Sequence, residues 1–192
     1  MSCKRLHDKS YNSVKPLYNV LLKLIQNSDY KLIGKPYGMY DFYPKNYNNV
    51  GLDSSIDWID YADFTLGNSL GIAEGIAIAE PDKKIFVLIS DSQLNMGNTL
   101  EAIISIGHLN LKNIILAIDY NNSCSKGVLS EVLEPNLNIF KPNWNIIYNK
   151  SYEYNDLNFN KNKPNVIIFD TIKNVYPNSD YRIKLWLDYI NI

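Results

Sequence analysis

Two short apolar runs, Ile85-Phe86-Val87-Leu88-Ile89 and Ile114-Ile115-Leu116-Ala117-Ile118, constrain this chain more than any other feature. Apolar runs of this length, bounded by turn signals, suit strands buried on both faces, as in parallel sheets. Parallel neighbours need a crossover, and the sequence between the runs supplies a helix from near Asn98 through His108. Asn98 and Glu101 have the N-cap-to-N3 spacing that lets a helix start satisfy its own backbone donors. The result is a β-loop-α-β unit with a right-handed crossover, and hence an α/β fold.

The rest of the chain extends that unit. Residues 13–27 carry Val14, Leu17, Tyr18, Leu21, Leu24 and Ile25 at three- and four-residue spacings, an amphipathic helix. The stretch 34–62 reads as irregular and aromatic-rich. From Leu66 to Ala79, apolar residues surround Gly67, Gly71 and Gly75, which predicts a helix with its glycines on one face. Each glycine costs about 0.8–1 kcal/mol relative to alanine, so close approach of another backbone is the expected compensation. Pro81-Asp82-Lys83-Lys84 ends that helix before the first strand. Asn145-Ile146-Ile147-Tyr148 and Val166-Ile167-Ile168-Phe169 predict two more strands, with the polar segment 149–163 as a candidate mobile loop. Lys184–Ile190 is a candidate terminal helix. Neither a repeat nor a linker interrupts the chain, so residues 1–192 are expected to form a single domain.

Composition narrows the functional classes. Of 192 residues, 46% are hydrophobic, enough for a sizeable core. Lys+Arg 19 against Asp+Glu 20 leaves a formal charge of −1, so no electrostatic argument favours nucleic acid or an anionic membrane. Cys3 and Cys124 form neither a metal-ligand pair nor a disulfide framework, which fits a reducing, cytoplasmic setting. No stretch approaches the ~18 apolar residues of a membrane span, and the N-terminal residues lack an apolar signal segment.

In an open parallel sheet, ligands bind outside the carboxyl ends of the strands. Asp91 follows the first run, and Asp119-Tyr120-Asn121-Asn122 follows the second. Asp91 offers a hard anionic oxygen, Asn121 a neutral amide oxygen, and the loop after it a backbone carbonyl, a set suited to magnesium or calcium. The same residue types also initiate turns and cap helices. Asp119, Tyr120 and Asn122 are explained by loop formation alone.

The segment Ser90-Asp91-Ser92-Gln93-Leu94-Asn95-Met96-Gly97-Asn98-Thr99-Leu100-Glu101-Ala102, with Asp119-Tyr120-Asn121 downstream, resembles the thiamine-diphosphate motif of transketolases. Thr65-Leu66-Gly67-Asn68-Ser69-Leu70-Gly71 is similar to that family's Gly-Ser-Leu-Gly-Gln-Gly-Leu segment, and Val166-Ile167-Ile168-Phe169-Asp170-Thr171-Ile172-Lys173 to its late strand. The resemblance covers roughly residues 5–175 and is best over 64–127. It implies a three-layer thiamine-diphosphate-binding fold, with a mostly parallel central sheet flanked by helices. It also implies a shortened diphosphate-binding domain of that family.

Carried over by position, the resemblance implies metal coordination by the Asp91 and Asn121 side chains and the Ser123 backbone oxygen. It gives diphosphate the Ser92 backbone N–H, the aminopyrimidine the Phe64 main chain, and the thiamine rings the apolar Leu66. The implied cofactors are thiamine diphosphate with Mg2+ or Ca2+. No catalytic residue is assigned, because the acid that activates the aminopyrimidine belongs to a different domain in this family. The expected partner is therefore a separate pyrimidine-binding subunit of the transketolase C-terminal type, with self-association into a heterotetramer. The expected activity is transfer of a ketol or related two-carbon unit between sugar-like substrates. Neither nucleic acid nor membrane is an expected partner.

The chain departs from the family at several positions. Ser90 and Ser92 replace the glycines flanking the family aspartate, and Met96 stands where an acid is usual, while Glu101 matches a second acid. Asn12 occupies a histidine position, and His7 and His108 are the chain's two histidines. His108, at a helix end, suits a dipole or packing role. These departures leave two alternatives: a specialised thiamine-diphosphate ligase or transferase acting on an unusual sugar, or a degenerate binding subunit without turnover. A Rossmann-type reading fails because Gly67-Asn68-Ser69-Leu70-Gly71 lacks the dinucleotide fingerprint.

Overall fold

The structure, a computed structural model, describes residues 11–34, 59–62, 66–124 and 127–170. A helix α1 (Tyr11–Gln26) leads into β1 (Tyr30–Gly34) and the short β2 (Tyr61–Ala62). Helix α2 (Ser69–Ala79), strand β3 (Ile85–Ser90), a 3-10 turn (Asp91–Asn95), helix α3 (Gly97–His108) and strand β4 (Ile114–Tyr120) come next. The chain continues through a small hairpin, β5 (Ser123–Cys124) and β6 (Gly127–Val128), one turn of helix α4 (Leu129–Val132), β7 (Asn145–Asn149) and β8 (Asn165–Asp170).

Six strands form one sheet in the order β2-β1-β3-β4-β8-β7, and every neighbouring pair is parallel. The two apolar runs are the adjacent central strands β3 and β4, buried as their composition requires. Alternation along them fills both faces. Phe86, Leu88 and Ala117 meet Leu17, Leu21 and Leu24 of α1, with Ile167 and Phe169 of β8. Ile85, Val87, Ile89, Leu116 and Ile118 meet Leu70, Ala73 and Ala77 of α2 and Ala102, Ile103 and Ile106 of α3. Helices on both faces of a parallel sheet make the three-layer α/β architecture expected from the sequence. No helix among the described residues is long and apolar enough to cross a membrane.

Four expectations need correction. Strand β1 occupies residues to which the sequence reading gave no element, with Tyr30 and Lys31 only half-buried, and β2 (Tyr61–Ala62) lies inside the stretch read as irregular. The segment 149–163 is tied down: Asn149 Nδ2 donates to Glu153 O at 3.0 Å, and Tyr152 Oη to Asp170 O at 2.6 Å. Asn145 Nδ2 donates to Asn158 O at 2.9 Å, and Asn165 Nδ2 to Asn160 O at 3.0 Å. Asn98 is not the cap of α3: Met96 holds that position with no side-chain cap, and Glu101 is exposed. The glycines do not share a packed face: Gly67 precedes α2 at φ +99°, while Gly71 and Gly75 are exposed, with open space where a Cβ would stand. The candidate helix Lys184–Ile190 lies outside the described residues.

Close helix approach is found instead at Gly107 in α3. A Cβ there would stand 2.9 Å from both Asn143 Cβ and Trp144 Nε1. Trp144 is fixed by donating Nε1–H to Ile103 O at 2.9 Å and by an edge-on contact with Phe140 at 5.4 Å. The two kinds of glycine should respond oppositely to alanine in urea unfolding. Gly107→Ala should cost about 1–3 kcal/mol by overpacking, while Gly75→Ala should gain up to about 1 kcal/mol from helix propensity. Equal effects would contradict this packing.

Candidate functional site

The register of the central strands brings the site together. Ser90 at the end of β3 is paired with Asp119 of β4, so the two strands finish level and the loops leaving them lie side by side. Asp91 starts the turn off β3 and is completely buried. Its Oδ1 accepts the Ser92 N–H at 2.8 Å, and its Oδ2 accepts the Asn122 N–H from the loop after β4 at 2.6 Å. The Asn121 N–H also acts on this carboxylate. Asn122 can aim its N–H this way because it adopts φ 55°, a left-handed conformation that asparagine tolerates.

Asn122 also sets the path of the chain beyond β4. Its Oδ1 accepts the Ser130 N–H at 2.8 Å, its Nδ2 donates to Ser130 Oγ at 3.0 Å, and its carbonyl accepts the Leu129 N–H at 3.0 Å. These bonds fold the β5–β6 hairpin, which Ser123 opens, back beside the strand ends. Asn121 Nδ2 donates to Asp119 Oδ2 at 2.9 Å, and Asp119 is buried. The Ser90 and Ser92 hydroxyls lie 2.9 Å apart.

Burial pushes the Asp91 carboxyl up from 3.8 to about 7, and the negative charge of Asp119 adds to the rise. The N–H groups of Asn122, Ser92 and Asn121 act against it, and no positive side chain does so among the described residues. A carboxylate has about four acceptor positions, so three N–H donors leave one for another ligand. A divalent cation there would supply the missing positive charge and favour ionised Asp91. No group of three His, Cys, Asp or Glu side chains is gathered among the described residues. A cation would therefore be held by a mixed set of carboxylate, amide and backbone oxygens, as oxygen-seeking cations accept.

Of the residues singled out in the sequence, Asp91, Ser92 and Asn121 are brought together at the two central strand ends, with the Ser123 main chain close behind Asn121 in the chain. The Ser92 N–H, expected for diphosphate, is donated here to Asp91. Leu66 sits in the turn before α2, half-buried; that turn is held by Thr99 Oγ1, which donates to Gly67 O at 3.3 Å. Asn98 Nδ2 steadies the same region by donating to Asn68 Oδ1 at 2.7 Å. Phe64, His7 and the Asn12 side chain lie outside what is described, and His108 is exposed at the far end of α3. Two site features are not evident from the sequence: the buried Asp119–Asn121 bond and Gln93, which is buried and donates Nε2–H to Gly34 O. The signal for the first was the i, i+2 spacing, which turns both side chains to one side of an extended chain.

Comparison with known proteins bears on the fold. No profile of a known protein family matches the chain. Over 55 residues, 29% of the chain, it is 42% identical to 1-deoxy-D-xylulose-5-phosphate synthase from Fusobacterium nucleatum, covering 9% of that protein. Transketolase from Campylobacter jejuni matches 89% of this chain and 38% of its own, at TM-score 0.62 and 19% identity. Pichia stipitis transketolase in complex with sedoheptulose-7-phosphate matches 82% and 32%, at TM-score 0.62 and 19% identity. Transketolase from Leishmania mexicana is 25% identical over 56% of this chain and 20% of its own, at TM-score 0.50. The chain thus spans well under half the length of each of these proteins.

The raised Asp91 pKa has a consequence for stability. A carboxyl that holds its proton more tightly when folded contributes most below about pH 4, and that contribution is lost as pH rises through about 7. The unfolding free energy of the ligand-free chain relative to Asp91→Asn should therefore decline between pH 4 and 7 and level off above. A flat difference across that range would show that Asp91 is ionised throughout.

Proposed function

We propose, from the premise that this domain is of the transketolase family's N-terminal type, that the chain is the thiamine-diphosphate- and metal-binding subunit of a split transketolase-like enzyme. The observation that carries the reading is the buried Asp91 carboxylate, joined to the loop after β4 and balanced by no positive side chain among the described residues. Asp91, the Asn121 amide oxygen and the Ser123 carbonyl would hold Mg2+ or Ca2+, and the cation would hold the diphosphate. The Phe64 main chain would contact the aminopyrimidine, and Leu66 would lie beside the thiamine rings. Ser92 would offer diphosphate its N–H as the cation draws the Asp91 carboxylate toward itself.

When bound, thiamine diphosphate supplies a carbanion that attacks a carbonyl and then holds the resulting negative charge. This chain's residues bind and orient it. The chain covers 38% of Campylobacter jejuni transketolase and 32% of the Pichia stipitis enzyme, which supports a site completed by a further pyrimidine-binding part. We assign that part to a separate pyrimidine-binding chain, with self-association into a heterotetramer in the cytoplasm. The reaction would move a ketol or related two-carbon unit between sugar-like molecules. The complex of Pichia stipitis transketolase with sedoheptulose-7-phosphate supports that substrate class.

The bonded hydroxyls of Ser90 and Ser92 favour a second reading. They add side chains beside the metal-binding aspartate, and a subunit that binds the cofactor for an unusual sugar, or without turnover, would tolerate that crowding. Activity with the cognate partner across a panel of sugar donors separates these readings.

Binding itself is tested by calorimetric titration of thiamine diphosphate with magnesium into the chain and its co-purifying partner. Asp91→Ala and Asn121→Ala should each lower affinity at least about 10- to 100-fold, the loss typical when even outer-shell groups of a metal site are removed. Wild-type affinity in both variants would sink the proposed anchor.

A further inference from the structure

We infer that Asp119 is a positioning residue: its buried carboxylate grips the Asn121 amide nitrogen and thereby turns the amide oxygen toward the cation. The inference rests on the cation site proposed above and adds to it a residue whose type and position in the sequence suggest only loop formation.

Asp119 is the sixth residue of the seven-residue strand β4, between β3 and β8, paired with Ser90 on one side and Phe169 on the other. A turn-forming aspartate normally stands in a loop at the surface, whereas this one is 1% exposed. Burying a carboxylate there carries a large desolvation cost, and the placement calls for a specific partner. One partner is the Asn121 side chain, which donates Nδ2–H to Asp119 Oδ2 at 2.9 Å. Since Asp119 and Asn121 are two positions apart, an extended chain presents both to the same side.

The chemistry of the pair then fixes an orientation. An amide has a donor end and an acceptor end of nearly equal shape, and a metal ion accepts only the oxygen. An ionised carboxylate only accepts hydrogen bonds, so it selects the nitrogen end and repels the oxygen end. Asn121 comes directly after Tyr120, the last residue of β4, and its backbone N–H acts on Asp91. Main chain and side chain of Asn121 are thus held by two different carboxylates, one from each strand end. Metal-binding histidines are oriented by carboxylates in the same way, and removing such outer partners weakens metal binding about 10- to 100-fold.

A double-mutant cycle on the full chain with its co-purifying partner tests the inference. The probes are thiamine diphosphate affinity at fixed magnesium and the number of waters on bound Mn2+ from proton relaxation. Asp119→Asn removes the directing charge, since its amide can face Asn121 with either end. It should weaken binding about 10- to 100-fold in the wild-type background, but change it by no more than about twofold when Asn121 is already alanine. Bound Mn2+ should gain about one water in Asp119→Asn, as it should in Asn121→Ala, because the vacated position is refilled. Melting curves verify folding, and Asp119→Ser replaces Asp119→Asn if the latter does not fold. Equal losses in both backgrounds, or no loss in either, would overturn the positioning role while leaving the cation site intact. Unchanged binding and hydration in Asn121→Ala would instead overturn the site itself, and this inference with it.

Discussion

The buried carboxylate of Asp91, bonded across the sheet to the loop after β4, is the constraint on which the site depends. Its Oδ1 is held by the next residue, Ser92, and its Oδ2 by Asn122, which lies 31 residues further along the chain. That span encloses all of α3 and β4, so one side chain fixes where two loops meet. The sheet makes this possible: five neighbouring parallel pairs place β3 and β4 at its centre, with helices on both faces to exclude water. Exclusion of water is also what raises the Asp91 pKa to about 7. The architecture thus gathers main-chain donors and side-chain oxygens around a buried carboxyl group at the two central strand ends.

A second layer steadies the first. Asn122, through its left-handed backbone and its bonds to Ser130 and Leu129, folds the β5–β6 hairpin back beside the strand ends. Thr99 and Asn98, in the first turn of α3, hold the Gly67–Asn68 turn next to Leu66. Gln93 reaches from the turn after β3 to Gly34 at the end of β1, whose lack of a side chain leaves room for it. Each of these contacts joins a loop at the carboxyl edge to a rigid element. Such support keeps a binding geometry formed before its ligand arrives.

What the sequence disclosed was mostly what burial dictates. The runs 85–89, 114–118 and 166–169 could be read because parallel strands inside the sheet are apolar on both faces; the edge strand at 145–149 was legible only from its unbroken Ile146-Ile147-Tyr148 run, although Tyr148 is exposed. Strand β1 was not, because Lys31 interrupts its run and leaves only Leu32 and Ile33 as adjacent aliphatic residues before Gly34. The asparagine-rich segment 149–163 looked like solvated loop, yet Asn149 Nδ2 donates to Glu153 O, and the Asn158 and Asn160 carbonyls accept from the Asn145 and Asn165 side chains, a tertiary outcome that composition does not encode. Gly71 and Gly75 suggested a tightly packed face but lie open, while the tight approach falls at Gly107, a glycine that no pattern singled out. At the site, Asp91 and Asn121 were visible from their positions at strand ends. The role of Asp119 was hidden because its side chain is explained only by the partner it meets in three dimensions.

The most direct test of the central claim is a crystal structure of the full chain with magnesium and thiamine diphosphate, grown with the proposed pyrimidine-binding chain. The expected result is one Mg2+ bridging diphosphate to the Asp91 carboxylate, Asn121 Oδ1 and the Ser123 carbonyl, each at about 2.0–2.1 Å. Diphosphate bound away from the ends of β3 and β4, or bound there with Asp91 and Asn121 outside the coordination shell, would contradict it.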